Sequence, residues 1–182
     1  MKVLGVVGLP ASGKGEFSKI AAGMNVPVIV MGDAIRHEVE KRGLDPTDAN
    51  LGAVASALRA KRGMDAIAFL CVPEIQRQTA PLVLVDGIRG DAEVTVFRRM
   101  FPDFTLISIE SSFETRLERI KSRRRSDDFE SAGDLQRRDT RELSWGLQKA
   151  MEGADIHICN EKSLEDFSSD VRRILEQVRC DP

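Results

Sequence analysis

Near its amino terminus the chain reads Gly8-Leu9-Pro10-Ala11-Ser12-Gly13-Lys14. This fits the G-x-x-x-x-G-K pattern, whose chemistry is the gripping of nucleotide phosphates. Glycines let the backbone curl until successive N–H groups line an anion-binding nest. A helix opening just after the loop adds the positive end of its dipole. Lys14 supplies a mobile point charge for the outer phosphates. The residue after the lysine, which in this pattern usually carries a hydroxyl for Mg²⁺, is Gly15, followed by Glu16. Two readings stay open. Either the metal is held mainly by water and phosphate, as Mg²⁺ often is, with Glu16 or Ser18 assisting, or Glu16 is a solvated first-turn carboxylate.

Such a loop needs a strand before it and a helix after it. Val3–Val7 is a short, continuous apolar run, and Phe17, Ile20, Ala21 and Met24 follow with helical spacing. Further runs at Val26–Met31, Leu82–Asp86, Phe104–Ile109 and Asp155–Ile158 do not alternate with polar residues. That pattern suits parallel strands covered on both faces, with crossover helices between them. Ser111 and Glu114 have capping-box spacing. Ser163 is placed to cap a last helix whose apolar face is Leu164, Phe167, Val171, Ile174, Leu175 and Val178. Leu44, Leu51, Val54, Ala55 and Leu58 give the stretch from Val39 to about Met64 an apolar stripe. Between Arg116 and Glu142 apolar residues thin out, which predicts an exposed or mobile insertion.

The 182 residues suit one domain. A hydrophobic content of 42% and a charged content of 31% exclude a disordered chain. No apolar run reaches the roughly 20 residues of a membrane span, and no signal peptide is evident. Cys71, Cys159 and Cys180 are scattered, without metal spacing, and read as reduced thiols of a cytoplasmic protein. The net charge of −2, from 27 basic and 29 acidic residues, argues against a general nucleic-acid coat. Around Arg123-Arg124-Arg125 the choices are a solvated face, a lid or an RNA patch. Aromatic residues make up 5% of the chain, and Asp127, Asp128 and Glu130 follow at once, which favours the lid. Trp145, His37 and His157 read as structural.

The loop's Gly-Lys-Gly ending resembles that of adenylate kinases. Gly32-Asp33-Ala34-Ile35-Arg36 is similar to the Gly-Asp-x-x-Arg segment of nucleoside monophosphate kinases, and Asp86-Gly87-Ile88-Arg89 to their Asp-Gly-x-x-Arg segment, one residue shorter here. The Arg-rich stretch resembles their lid, and Arg137-Arg138-Asp139 the return from it. Asp155–Asn160 with Ser163-Leu164-Glu165 is similar to the adenine-side loop of adenylate kinase-like and dephospho-CoA kinase-like proteins, which usually carry Gly where Glu161-Lys162 stands. The chain as a whole resembles a largely archaeal group of small P-loop proteins related to both.

This resemblance implies a P-loop NTPase fold: a three-layer α/β/α sandwich with a five-stranded parallel sheet and a short Arg-rich lid. The acceptor-side helical region would span about 32–78 and the lid about 122–136. It implies Mg-ATP-dependent phosphoryl transfer to a small nucleotide-like acceptor. Gly8, Leu9, Pro10, Ala11, Ser12, Gly13, Lys14, Gly15, Glu16 and Asn160 would bind ATP. Arg36 and Arg89 would clamp the acceptor with bidentate hydrogen bonds, and Lys14, Arg123, Arg137 and Arg138 would close over the transferring group. Asp86, at a strand's carboxyl end, would hold a Mg²⁺-bound water, or else act as a turn carboxylate. Asp33 would orient the acceptor, deprotonate a hydroxyl acceptor, or cap a helix starting near Ala34. The alternatives are dephospho-CoA kinase-like transfer to a hydroxyl, and a regulatory or RNA-associated ATPase without a dedicated acceptor.

Overall fold

The structure, a computed structural model, describes residues 1–123 and 131–180, apart from the side chains of Arg123 and Cys180. β1 (Lys2–Val7), β2 (Val28–Val30), β3 (Leu82–Asp86), β4 (Phe104–Glu110) and β5 (Ile156–Cys159) form one sheet in the order β2-β3-β1-β4-β5. Every pairing is parallel. Because side chains alternate across a strand, each strand feeds two cores. Val3 and Val7, Val83 and Val85, and Leu106 pack on one face; Leu4 and Val6, Leu82 and Leu84, Ile107 and Ile109 pack on the other. Apolar residues are needed at both parities, which is why these strands read as unbroken apolar runs.

One face is covered by α1 (Lys14–Gly23) and α9 (Leu164–Cys180), through Phe17, Ile20, Phe167, Val171 and Leu175. The other is covered by α2 (Met31–Lys41), α3 (Asp48–Arg62), α4 (Ala66–Gln76), α5 (Asp91–Met100) and α8 (Leu147–Glu152). α6 (Phe113–Arg123) and α7 (Ala132–Leu143) complete the described helices. Among the described residues no helix is long and apolar enough to cross a membrane.

The chain leaves β1 through α1 on one face and leaves β3 through α5 on the other. The neighbouring carboxyl ends of β1 and β3, where Val6 is level with Asp86, therefore diverge into a crevice, the position where open parallel sheets bind ligands.

Several local expectations are corrected. β2 is shorter than Val26–Met31: Pro27 has no N–H to donate, although its carbonyl accepts from Leu84 N at 2.9 Å, and Met31 already opens α2. Leu44 leaves the apolar stripe and is 43% exposed, because α2 ends before it. The cap of α6 is Ser112, not Ser111: its Oγ accepts from Thr115 N, and the carboxylate that accepts from Ser112 N is Glu161, not Glu114. Ser163 caps α9 as expected, accepting from Asp166 N. The thinly apolar segment from Arg116 to Glu142 is not simply an exposed insertion. Within it Arg116, Ile120, Leu135, Asp139 and Glu142 are buried, since ion pairs take the place of apolar contacts.

Candidate active site

Residues 8–13 join β1 to α1. Ala11 is left-handed at φ 61°, and Gly8 and Gly13 lie at φ 152° and 120°. A Cβ on Gly8 would stand 2.4 Å from Ile109 O, and one on Gly13 would stand 2.3 Å from Asn160 Nδ2. The loop is tied down from three sides. Asn160 Nδ2 donates to Ser12 O at 2.8 Å. Arg116 donates to Pro10 O at 3.2 Å. Arg119 donates to Ser12 O, to Ser111 Oγ and to Asn160 O. Ser12 Oγ is packed inward, with no hydrogen-bond partner among the described residues.

Lys14 is buried, and its Nζ donates to Gly8 O at 2.5 Å and to Leu9 O at 2.9 Å. Burial, and after it the like charge of Arg89, pulls its pKa from 10.5 down to about 7. Asp86 is buried and accepts from Ser18 Oγ at 2.8 Å; Lys14 O, 3.0 Å from the same Oγ, competes for its one proton. Glu16 instead pairs outward with Lys19 at 3.0 Å.

A cleft runs from the loop past Lys14, Gly15 and Asp86 toward Asn160, Lys162 and Phe167. A second cavity lies between α2, α3 and α7, lined in part by Asp48, Leu51, Arg59, Arg141, Glu142 and Trp145. Gly32, Arg36, Gly87, Arg89 and Arg138 line both. The two spaces therefore meet beside a cluster of cations. Arg89 Nη1 donates to Glu142 Oε2, and Arg138 Nε donates to Glu142 Oε1 at 2.9 Å. Burial alone would push the Glu142 carboxyl up; the guanidinium groups of Arg89 and Arg138 outweigh this and hold it below the usual range. Chemically, such a junction suits a polyanionic phosphate chain on one side and a smaller anionic molecule on the other.

Of the residues singled out from sequence, Lys14, Asp86, Arg36, Arg89 and Arg138 come together at this junction. Others do not. Arg137 points outward to Asp134. Asp33 lies within the first turn of α2, does not cap it, and donates nothing to the cavity lining: it accepts from Arg36 Nη1 at 2.6 Å in an exposed pair. Arg89 is not a surface ion pair, its partner Glu142 being buried. Asn160 borders the phosphate-loop cleft but spends its amide on the loop. The Arg123 side chain and the Arg124-Arg125 part of the expected lid lie outside the described residues. Glu161, where similar loops carry Gly, accepts from Thr115 Oγ1 and Ser112 N, so it ties this loop to α6.

Sequence reading missed Asp48, Arg59, Arg141 and Glu142. The spacing of Arg141 and Glu142 from Arg138 held the signal for two of them, since i, i+3 and i+4 fall on one helix face. Asp48 and Arg59 lie on a different helix, and only packing brings them near.

Fold and phosphate loop together define a P-loop protein of kinase type. Residues 7–136 match the AAA domain family AAA_17. Over its full length the chain is 60% identical to a UPF0200 protein of Methanoregula boonei, all of which is covered. It is 52% identical to one from Methanosarcina acetivorans, over 96% of this chain and 94% of that one. The chain belongs to the AAA_17 family and to the UPF0200 proteins of archaea. Among solved structures, TT1252 from Thermus thermophilus superposes with a TM-score of 0.67 at 18% identity, covering 97% of each chain. Shikimate kinase from Aquifex aeolicus does so with a TM-score of 0.55 at 19% identity, covering 98% of each. A gluconokinase from Sinorhizobium meliloti gives 0.57 at 17% identity, over 98% of this chain and 95% of that one. At these identities the likeness is one of fold.

Proposed function

We propose that this protein is a phosphotransferase that moves the γ-phosphoryl group of Mg-ATP to a small nucleotide-like acceptor. The observation that carries the reading is the shared wall. Arg36, Arg89 and Arg138 line both the phosphate-loop cleft and the α2–α3–α7 cavity. An acceptor oxygen approaching from the cavity would form its bond to the γ-phosphorus while the bond to the β–γ bridging oxygen breaks and ADP leaves. The charge spread over the equatorial oxygens would be met by Lys14, Arg89 and Arg138, since catalysis of this step is mostly positioning and electrostatics.

The donor set fits a magnesium ion held through water. Asp86 offers a buried carboxylate fixed by Ser18, and Gly15 offers no hydroxyl. Mg²⁺ would neutralise charge on the β- and γ-phosphates. Asp33 holds Arg36 at the cavity rim. Arg137 and the Arg123 side chain stay candidates for closing over the transferring group. We assign the chain to the cytoplasm on Cys71 and Cys159, both free thiols among the described residues.

A transfer screen with Mg-ATP against nucleoside monophosphates, nucleosides and dephospho-CoA tests the proposal. Saturable, acceptor-dependent ADP release is expected, and Arg36→Ala should raise the acceptor KM while leaving ATP binding nearly intact. A hydroxyl acceptor emerging from the screen would favour the dephospho-CoA kinase-like alternative. Acceptor-independent turnover stimulated by RNA would overturn the kinase reading in favour of a regulatory ATPase.

A further inference from the structure

The inner end of the acceptor-side cavity has a chemistry that phosphoryl transfer does not account for. Arg59 is 4% exposed and lines the cavity. Its Nη2 donates to Glu93 Oε1 at 2.7 Å, while its Nη1 is buried with no hydrogen-bond partner among the described residues. Arg141, on the facing helix, donates through Nη2 to Asp48 at 2.9 and 3.0 Å, and its buried Nε is likewise unmatched. Both guanidinium groups lie against Trp145, with Cζ 4.2 Å from the ring centroid for Arg59 and 5.9 Å for Arg141. Gly52 leaves room for Arg141: a Cβ there would come within 2.8 Å of its guanidinium.

Two buried donors left without acceptors are costly in a folded protein and call for an explanation. The cavity wall carries five arginines (36, 59, 89, 138 and 141) against two carboxylates, Asp48 and Glu142, with Asp33 and Glu93 pairing Arg36 and Arg59 from outside the lining. Arg59, Arg141 and Trp145 line the cavity but not the phosphate-loop cleft, and each arginine is one shared carboxylate away from a junction arginine: Arg141 through Asp48 from Arg138, Arg59 through Glu93 from Arg89. Leu51, Ala55 and Ile67 add apolar surface to the same wall.

From this arrangement, and resting on the transferase reading above, we infer that Arg59 and Arg141 bind a second acidic group of the acceptor. The acceptor then has two ends. One receives the phosphoryl group beside Arg89 and Lys14. The other carries a carboxylate or a phosphate that meets the charge of these two cavity-lining guanidinium groups. Trp145 holds the two guanidinium planes by cation–π contact.

Matched pairs of probes test it by calorimetry on the full chain with the non-hydrolysable analogue AMP-PNP and Mg²⁺ present. Uridine 5′-monophosphate is compared with orotidine 5′-monophosphate, which adds a carboxylate. Adenosine 5′-monophosphate is compared with adenosine 3′,5′-bisphosphate, which adds a phosphate. In at least one pair the more acidic member should bind about tenfold tighter or more, as charge-assisted hydrogen bonds warrant, and the pair that responds identifies the acid. Arg59→Met and Arg141→Gln should each abolish that advantage while leaving binding of AMP-PNP alone unchanged. If Arg59→Met fails to fold because Glu93 is stranded, the less buried Arg141→Gln carries the test. Equal affinity within both pairs, or an advantage that survives in the folded variants, overturns the inference. Failure of the wild-type chain to bind AMP-PNP would sink the transferase reading instead, so the two failures are told apart.

Discussion

Ser18 Oγ donates a 2.8 Å hydrogen bond to Oδ2 of Asp86, joining the second turn of α1 to the carboxyl end of β3. The hydroxyl that the phosphate loop lacks at Gly15 thus stands one turn further along, fixed on the carboxylate facing the loop. Asp86→Asn should weaken nucleotide binding in Mg²⁺ by about tenfold or more and leave binding in EDTA nearly unchanged. Ser18→Ala should do the same more mildly, by the loss of one charge-assisted bond. Titrations with and without the metal check this; equal losses in both would remove Asp86 from the metal's surroundings.

Lys14 gives a pH signature. With its pKa at about 7 in the free protein, the amine loses its proton as pH rises from there, whereas a bound phosphate favours the charged form. Nucleotide affinity should therefore fall above pH 7, by up to about tenfold per unit, with proton uptake on binding. Calorimetry at pH 8 in buffers of different ionisation enthalpy measures that uptake. Lys14→Ala should lower affinity and flatten the profile. The same shift has a stability consequence of fixed sign. Between pH 7 and 10.5 the unfolded chain holds this proton and the folded chain does not, so this group makes stability rise through that window.

Glu142 positions two arginines without belonging to the phosphate loop. Glu142→Gln keeps an acceptor of similar shape but removes the charge that holds Arg89 and Arg138 together. The expected result is a kcat lowered about 10²-fold, the scale of a small misplacement at a reacting centre. The Kd for Mg-ATP should change less than kcat, since Glu142 does not line the phosphate-loop cleft and acts there only through Arg89, Arg138 and the charge of Lys14. Steady-state kinetics beside direct nucleotide titration separates this from general damage to the fold, which would move both alike.

The Arg116–Asp139 pair is buried and bidentate, at 2.9 and 2.7 Å, and Arg116 also reaches Pro10 O. Removing one partner leaves the other charge buried and alone. Asp139→Asn should therefore cost about 3–5 kcal/mol in denaturant unfolding. The double variant Arg116→Met with Asp139→Leu should be less destabilised than the single one. A cost below about 1 kcal/mol for Asp139→Asn would show that the pair behaves as an exposed one.

The sequence determined the core strand segments and the phosphate loop, while the strand order came from the structure. Parallel strands buried on both faces must be apolar at every position, so Val3–Val7 and Leu82–Asp86 declare themselves without reference to any other segment. Gly8, Gly13 and Lys14 likewise form a local pattern, because backbone curvature and a helix start depend on adjacent residues. Tertiary structure alone also decided the pairing of charges. Nothing in the order of residues says that Arg59 meets Glu93, that Arg116 meets Asp139, or that Arg138 faces the cavity while Arg137 turns to Asp134. A charged residue reads as solvent-exposed until packing supplies its opposite. Here a segment poor in apolar residues is held inside by ion pairs formed across 23 to 93 positions of chain.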